Sequence, residues 1–331
     1  MTKNRALVLR SLQKIFGLVS GISENSFRPN EIATSSEEAS EIIYQMILSD
    51  KPFMIGRFGS TELNTTLNAQ SHAMKKHSIW DYISYKQYQW WWDDRLLYAI
   101  QNNAGFFPVN EEMLIKYSER MFNDIKELDL LGDFTKSVRY IEPLLEGVKR
   151  VHIKDLEPLY GKRPWTRALE GKRVLVVHPL AELIQQQYNN NRTRLFKNKE
   201  LLPEFNLQVI PAVQSLGGDN SDFSNWFDAL EWMENEIDKR DYDICLIGCG
   251  AYGFCLAAHC KRMGKKGFHI GGYLQYMFGI IGSRWNDPSY GVERWGTPKG
   301  LYSDNINDYW VWPDAKYIPK NASKVENGCY W

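Results

Sequence analysis

A glycine-rich turn late in the chain is the first candidate for a ligand site. Residues 241–253 read DYDICLIGCGAYG, so an apolar run ends in Gly248, Gly250 and Gly253 before a helix-like segment. Glycine lets the backbone approach a ligand closely, and the N-terminus of a following helix offers N–H groups to an anion. The spacing fits a dinucleotide-binding turn, but no Asp or Glu ends the next strand to bind a ribose. The turn therefore predicts an anion site and argues against NAD(P).

Polar or glycine-rich residues also follow the other predicted strands that could surround this turn. They are Arg57, Gly59, Ser60, Thr61 and Glu62 after an early strand, His178 and Asp219 after two middle strands, and Gly271, Gly272 and Gln275 after the last strand. Tyr252 in the glycine turn and Gln275 are candidates to contact a sugar or base, and Arg284 is a candidate to close on an anionic group. Because parallel strands present their carboxyl ends at one edge of a sheet, we expect these residues to converge.

Four of these side chains could act chemically, and each also has a structural interpretation. Arg57 suits a phosphate or carboxylate, which guanidinium binds in a bidentate manner, but it could equally pair with Glu62. Glu62 could accept a proton or bind a cation, or simply stabilise the start of a helix. His178 follows a buried strand and could act as a base or as a hydrogen-bonded structural residue. Asp219 lies in a polar loop that could supply a base or a metal ligand.

Composition limits the classes of function. The 40 basic and 40 acidic residues cancel, so no overall positive field attracts nucleic acid, and we expect no nucleic-acid partner. The five cysteines lack paired C-x-x-C spacing, and their apolar setting indicates a reducing, cytoplasmic compartment. The sequence contains no Walker loop, nucleophile elbow or H-E-x-x-H motif, which argues against an ATPase or a hydrolase.

The first 22 residues combine basic and apolar side chains at helical spacing. Lys3, Arg5 and Lys14 alternate with an apolar stripe that is too short and too interrupted by charge to span a membrane. Such a helix can lie on an anionic membrane surface, or it can pack on the domain that follows. We therefore expect residues 1–22 to contact a membrane surface or to pack on the domain, and residues 23–34 to form a linker.

The rest of the chain positions the candidate residues. Strands predicted at residues 53–55, 174–177, 207–210, 244–247 and 268–270 alternate with helices, which indicates a Rossmann-like, doubly wound, mainly parallel α/β sheet. We expect residues 1–34 to be a separate N-terminal segment. Residues 35–331 should form a single catalytic domain, with a helical insertion at about residues 78–131 and a long aromatic-rich C-terminal tail.

Residues 57–62, which read RFGSTE, resemble the GT-D class of bacterial glycosyltransferases, whose members carry an Arg-Phe-Gly-Asp-Gly-Glu-type turn after an early strand. The set from His178 through the glycine turn to Arg284 is similar to an uncharacterised group of polysaccharide-biosynthesis proteins. The resemblance implies a GT-D-like fold and transfer of a sugar from a nucleotide-sugar donor to a glycan or lipid-linked acceptor. It implies a role in bacterial surface polysaccharide, O-antigen or capsule, at the inner face of the membrane.

The resemblance also implies roles for particular residues. Glu62 matches a family carboxylate that is a metal ligand, here for Mn²⁺ or Mg²⁺, and it is also a candidate general base, with His178 or Asp219 as rivals. Ser60 stands where the family has its metal-binding Asp, which puts the dependence on metal in question. The remaining predicted site residues would bind the nucleotide sugar. Two other classes stay open: a nucleotide- or S-adenosylmethionine-dependent Rossmann-type enzyme, and a non-catalytic, membrane-associated binding module.

Overall fold

The computed structural model describes residues 2–22, 35–218, 222–325 and 328–331. Its strands are β1 Phe53–Arg57, β2 Leu130–Asp133, β3 Lys149–His152, β4 Arg173–His178, β5 Asn206–Pro211, β6 Ile244–Ile247 and β7 Lys266–His269. Its α-helices are α1 Lys3–Ser20, α2 Ser36–Leu48, α3 Ser60–Ala73, α4 Ile79–Ile83, α5 Asp94–Asn102, α6 Glu111–Ile125, α7 Ala181–Leu195, α8 Trp226–Asp238, α9 Tyr252–Arg262, α10 Tyr273–Met277, α11 Ser283–Asn286 and α12 Val292–Trp295.

Within these ranges the seven strands form one parallel sheet in the order β3-β2-β1-β7-β6-β4-β5. The chain leaves β4 towards β5 at one edge, but it leaves β6 towards β7 in the opposite direction. Neighbouring strands whose connections diverge in this way open a crevice at their carboxyl ends, where α/β proteins bind ligands. The topology therefore places the ends of β4 and β6 at the entrance to a ligand site.

The sheet is buried on both faces, as expected for parallel strands flanked by helices. Phe53 and Ile55 of β1 pack on one face with residues of α2 and α7, whereas Met54 packs on the other face with residues of α3, α6 and α9. This alternation follows from the pleat of the strand, which points successive side chains to opposite faces. The same alternation in β4 makes the sheet a rigid support for the loops at its edge.

The predicted Rossmann-like α/β fold is confirmed. The expected helix after Ser35 begins there, and the Ser35 hydroxyl accepts a hydrogen bond from the N–H of Glu38 at 3.2 Å. Two strands escaped prediction: β2 and β3 lie in a part of the chain read as helical or left unassigned. β2 reads LLGD and β3 reads KRVH, so neither shows the run of apolar residues that identified β6, a strand of the same length. The predicted linker at residues 23–34 lies outside the described residues.

The C-terminal tail returns to the sheet edge. Val311 forms a bridge to Ile280, and Trp310 is buried among residues that follow β7. The last residues reach the carboxyl end of β7, where the Tyr330 ring packs directly on Gly272. Among the described residues, every helix is too short or too polar to cross a lipid bilayer.

Candidate functional site

A cleft of about 400 Å³ opens at the carboxyl edge of the sheet. Most of the predicted site residues that the structure describes line it: Arg57, Gly59, Ser60, Thr61, Glu62, His178, Gly248, Gly250, Tyr252, Gly271, Gly272, Gln275 and Arg284. Asp219, a predicted base, lies outside the described residues, and Gly253 does not line the cleft. The convergence expected from the strand ends therefore occurs, but the individual side chains take different roles.

Arg57 projects from the end of β1 and is held against the end of β7. Gly271 has φ +76°, and a Cβ there would lie 2.9 Å from Cζ and Nε of Arg57. Only glycine combines this backbone conformation with room for the guanidinium. The Nε atom is buried, and no acceptor lies within hydrogen-bond distance of it among the described residues. A buried guanidinium N–H without an acceptor is costly unless a ligand satisfies it, so Arg57 is a strong anion-binding candidate in the cleft.

The turn at residues 57–62 uses its carboxylate to close a helix. Gly59 is the N-cap of α3, and Glu62 is its third residue. The Glu62 carboxylate folds back so closely that a Cβ on Gly59 would collide with it. A glutamate at this position commonly reaches the N-cap backbone, and its charge favours the helix N-terminus. This geometry fits the structural interpretation of Glu62 better than that of a metal ligand or general base.

The residues of the glycine turn pack mainly against other parts of the protein. Gly250 has φ +56° and lies against the carbonyl of Ala104, which accepts the Ala251 N–H at 3.1 Å. Gly253 packs on the ring of His269. The Tyr252 ring is buried and stacks on Trp226 with centroids 4.9 Å apart, and its hydroxyl lies 3.3 Å from Ser215 Oγ.

The N–H groups at the start of α9 are therefore largely satisfied within the protein. That helix N-terminus is a weaker anion site than the sequence pattern suggests. Tyr252 borders the cleft, but it belongs to the core and does not project as a contact for a sugar or base.

His178 is a buried, neutral histidine. Its Nδ1 accepts the N–H of Leu180 at 3.0 Å, and burial lowers its pKa to about 3. A neutral imidazole that accepts at Nδ1 carries its proton at Nε2, where it can only donate. Its ring edge lies close to Gly248, since a Cβ at that position would be 3.0 Å from His178 Cδ2. The predicted role of general base therefore does not fit His178, although a hydrogen bond donated to a ligand does.

One wall of the cleft follows β7 and consists of α10, α11 and the last residues of the chain. Gln275 donates to the carbonyls of Ile281 and Tyr330 at 3.0 and 2.9 Å, so its amide group fixes the wall instead of reading a base. Arg284 lies over the ring of Tyr330, 4.3 Å from its centroid, and contacts Cys329 Sγ. The tail thus orients a second arginine in the cleft, and Arg294 adds a third at the exposed rim.

Glu157 is the main residue that sequence reasoning missed. It follows β3 and the short helical turn at Ile153–Leu156, and it lines the cleft together with Arg57 and Arg284. Tyr302 donates a hydrogen bond to Glu157 Oε2 at 2.5 Å. Burial raises the pKa of Glu157 to about 7, with a further contribution from Asp155, and it outweighs the opposing effects of the Tyr302 hydrogen bond, Arg57 and Arg284. A carboxylate poised near neutral pH in a cleft is a candidate acid or base.

The hydroxyl groups of Tyr160 and Thr297 extend the hydrogen bonding behind Glu157. The Tyr302 hydroxyl lies 3.0 Å from that of Tyr160, which lies 2.8 Å from Thr297 Oγ1. Burial raises the pKa of Tyr160 to about 12, so this phenol stays protonated near neutral pH. The chain of hydroxyls therefore holds the Glu157 side chain in position and supplies hydrogen bonds to its charged form.

The cleft does not present the ligands that a divalent cation needs. Across the described residues, no three His, Cys, Asp or Glu side chains cluster in a way that could hold a metal ion. Ser60 supplies a hydroxyl and Glu62 is turned towards Gly59, whereas Mg²⁺ and Ca²⁺ favour several oxygen ligands. The metal role implied for Glu62, with Mn²⁺ or Mg²⁺, does not fit this geometry.

Comparisons with known proteins add little to this description. No protein-family model matches the chain, and no curated protein matches it. A similar solved structure is the selenomethionine-substituted form of a domain of unknown function, DUF1792. The two chains are 13% identical, the match covers 95% of this chain and 98% of the other, and the TM-score is 0.30. A likeness at this TM-score and identity does not establish a shared function.

Proposed function

We propose that this protein is a glycosyltransferase that moves a sugar from a nucleotide-sugar donor to an acceptor in the biosynthesis of a bacterial surface polysaccharide, O-antigen or capsule. Arg57 supports this proposal most directly: its guanidinium is seated on Gly271 in the cleft, and its buried Nε has no acceptor among the residues that the structure describes. The resemblance of residues 57–62 to the GT-D turn supports the choice of this class among anion-binding enzymes.

Donor binding follows from the positive side of the cleft. The diphosphate of a nucleotide sugar offers several oxygens, which a guanidinium can bind in pairs. Arg57 and Arg284 would receive it at the edge of the cleft where β1 and β7 end. The nucleoside would extend towards Gly248 and His178, at the crevice between β6 and β4. These cations would also stabilise the negative charge on the departing diphosphate.

The acceptor hydroxyl must lose a proton to a base, and Glu157 fits that role better than Glu62 or His178. In the transfer, an acceptor hydroxyl oxygen forms a bond to the anomeric carbon while the bond from that carbon to the diphosphate breaks. The electron pair leaves with the diphosphate, and the acceptor proton passes to the Glu157 carboxylate. A base whose pKa lies near the working pH performs this step well, and burial of Glu157 provides that.

The proposed reaction does not depend on a divalent cation. Since Ser60 and Glu62 do not form a cation site, the arginines would stabilise the negative charge that develops on the departing diphosphate. If a cation takes part, the diphosphate must supply most of its ligands.

A thermal-shift panel tests donor binding. It would use UDP, GDP, CDP, CMP and TDP, each with Mn²⁺, Mg²⁺ or EDTA, and Arg57→Ala as the matched control. Ligand at one hundred times its dissociation constant stabilises a protein by about 2.7 kcal/mol, which is readily measured. We expect a base-selective shift that survives EDTA and is clearly reduced in Arg57→Ala. No shift with any nucleotide would remove the support for a nucleotide-sugar donor.

Two other classes make different predictions in the same assay. A nucleotide- or S-adenosylmethionine-dependent Rossmann-type enzyme would respond to NAD(P) or S-adenosylmethionine and not to nucleoside diphosphates. A non-catalytic binding module would respond to none of them, and substitutions of Arg57 and Glu157 would leave its binding to membranes unchanged. The satisfied N–H groups at the start of α9 argue against a dinucleotide at the glycine turn.

A further inference from the structure

Helix α1 is apolar on both its inner and its outer side. Ala6 and Leu9 are buried against Tyr82 and Trp91, which fixes the inner side. On the other side, Val8 and Ile15 lie seven residues apart and remain exposed, together with Leu18 and Val19 at 85% and 84% exposure. Apolar side chains exposed together on one surface commonly mark a site of interaction, so the outer side of α1 is a candidate docking surface.

Polar contacts hold α1 firmly on the domain. Arg10 donates to Asp93 at 2.7 Å, and Gln13 donates to the carbonyl of Tyr82 at 2.7 Å. Phe16 meets the edge of Trp80 with ring centroids 5.5 Å apart. The inner side of α1 is therefore used for attachment, and the outer apolar side keeps a fixed direction relative to the domain.

Basic residues border the exposed apolar side. Lys3 and Lys14 lie on the same row of the helix as Leu7 and Leu18, and Arg5 lies on the opposite row. Helix α1 contains no Asp or Glu, although Lys3 contacts Asp94 of α5 at 3.1 Å. Apolar residues flanked by Lys and Arg are the pattern of a helix that lies in the interface of an anionic lipid bilayer.

The neighbouring α4 extends this surface. Trp80 and Ile79 are exposed beside α1, and Lys75 and Lys76 precede them as exposed cations. Tryptophan is favoured at the level of lipid headgroups, where its ring is partly apolar and partly hydrated. A second copy of the chain would need a complementary acidic surface to match these cations, whereas anionic headgroups match them directly.

We propose that the outer side of α1, bordered by Trp80, docks on the surface of an anionic lipid membrane. The helix would lie parallel to the surface with Val8, Ile15 and Leu18 in the headgroup layer. The inference is independent of the chemistry of the cleft, because none of these residues lines it.

Sedimentation of the full chain with vesicles tests the proposal. The probes are vesicles of phosphatidylcholine and phosphatidylglycerol in equal parts, and vesicles of phosphatidylcholine alone. We expect binding to the anionic vesicles, weakened by salt, and a loss of at least about tenfold in affinity for the double variant Leu18→Ser, Val19→Ser. Lys14→Gln with Arg5→Gln should weaken binding to anionic vesicles only. Met263→Ser, an exposed apolar position on another surface, is the matched control and should bind like wild type.

Two results would overturn the proposal. The first is equal sedimentation of wild type and the Leu18→Ser, Val19→Ser variant. The second is self-association through this surface, seen as a concentration-dependent dimer that the same variant abolishes, without binding to vesicles. An unchanged melting temperature of each variant would establish that its fold is intact.

Discussion

Two glutamates at the same edge of the sheet differ in almost every respect that matters for chemistry. Glu62 belongs to a recognisable sequence motif, yet its carboxylate folds onto Gly59 at the start of α3. Glu157 belongs to no motif, yet it lines the cleft near Arg57 and Arg284, and burial raises its pKa to about 7. A motif therefore identified the region of the site, but the surroundings that folding creates decide which carboxylate can move a proton.

The largest difference should appear on removing each carboxylate's charge. Replacing Glu157 with Gln removes the proposed base, and loss of a general base lowers kcat by about 10²–10⁴-fold. The same change at Glu62 should leave kcat within a few-fold of wild type. The rate at which nucleoside diphosphate is released from the donor identified by thermal shift gives kcat for both variants. A large loss of kcat in Glu62→Gln with full activity in Glu157→Gln would reverse the assignment.

Removing Arg57 should weaken the binding of the donor and not only slow the chemical step. A charged hydrogen bond contributes about 1.5–3 kcal/mol, so Arg57→Ala should raise the nucleotide dissociation constant about ten- to a hundredfold. Arg294→Ala is the matched control, because that guanidinium lies at the exposed rim and should contribute less. Titration calorimetry measures the affinities. Equal affinities for wild type and Arg57→Ala would mean that the diphosphate binds elsewhere.

The stability of α3 should reveal what Glu62 does. Removing a helix-capping interaction costs about 0.5–2 kcal/mol, so Glu62→Ala should lower the free energy of unfolding by about that amount. Gly59→Ala should have a similar effect because the added Cβ displaces the same carboxylate. In the double variant the two losses should not add. Urea denaturation of the four proteins tests this, and additive losses would mean that Glu62 does not rest on Gly59.

The smallest effect is expected in the pH dependence. Glu157 must be ionised to accept a proton, so kcat/KM should rise with pH and reach half its maximum near pH 7. Tyr302→Phe removes a hydrogen bond to the carboxylate, which raises the Glu157 pKa. The rise of kcat/KM with pH should therefore move to higher pH by roughly half a unit to one unit. Tyr160→Phe, one bond further away, should shift it less. If the rise of kcat/KM with pH is the same in Tyr302→Phe as in wild type, Glu157 is excluded as the titrating group.

The sequence allowed prediction of the parts of the molecule with regular patterns. Alternating strands and helices identified the α/β sheet, and residues at strand ends were correctly expected to meet in one cleft. Glu157 could not be found because it follows β3, whose sequence KRVH contains a single apolar residue and so gives no strand signal. Nor does a sequence reveal where a side chain points. The ring of Tyr252 stacks in the core, and His178 accepts from the Leu180 N–H, for reasons that depend on packing.

A co-crystal structure with the nucleoside diphosphate selected by thermal shift would test the central claim most directly. We expect the diphosphate oxygens to contact the Arg57 guanidinium and to lie near Arg284 and the start of α3. Glu157 should face the side on which the sugar would extend. A nucleotide bound outside the cleft, or phosphates held by a cation on Glu62 and distant from Arg57, would contradict the account.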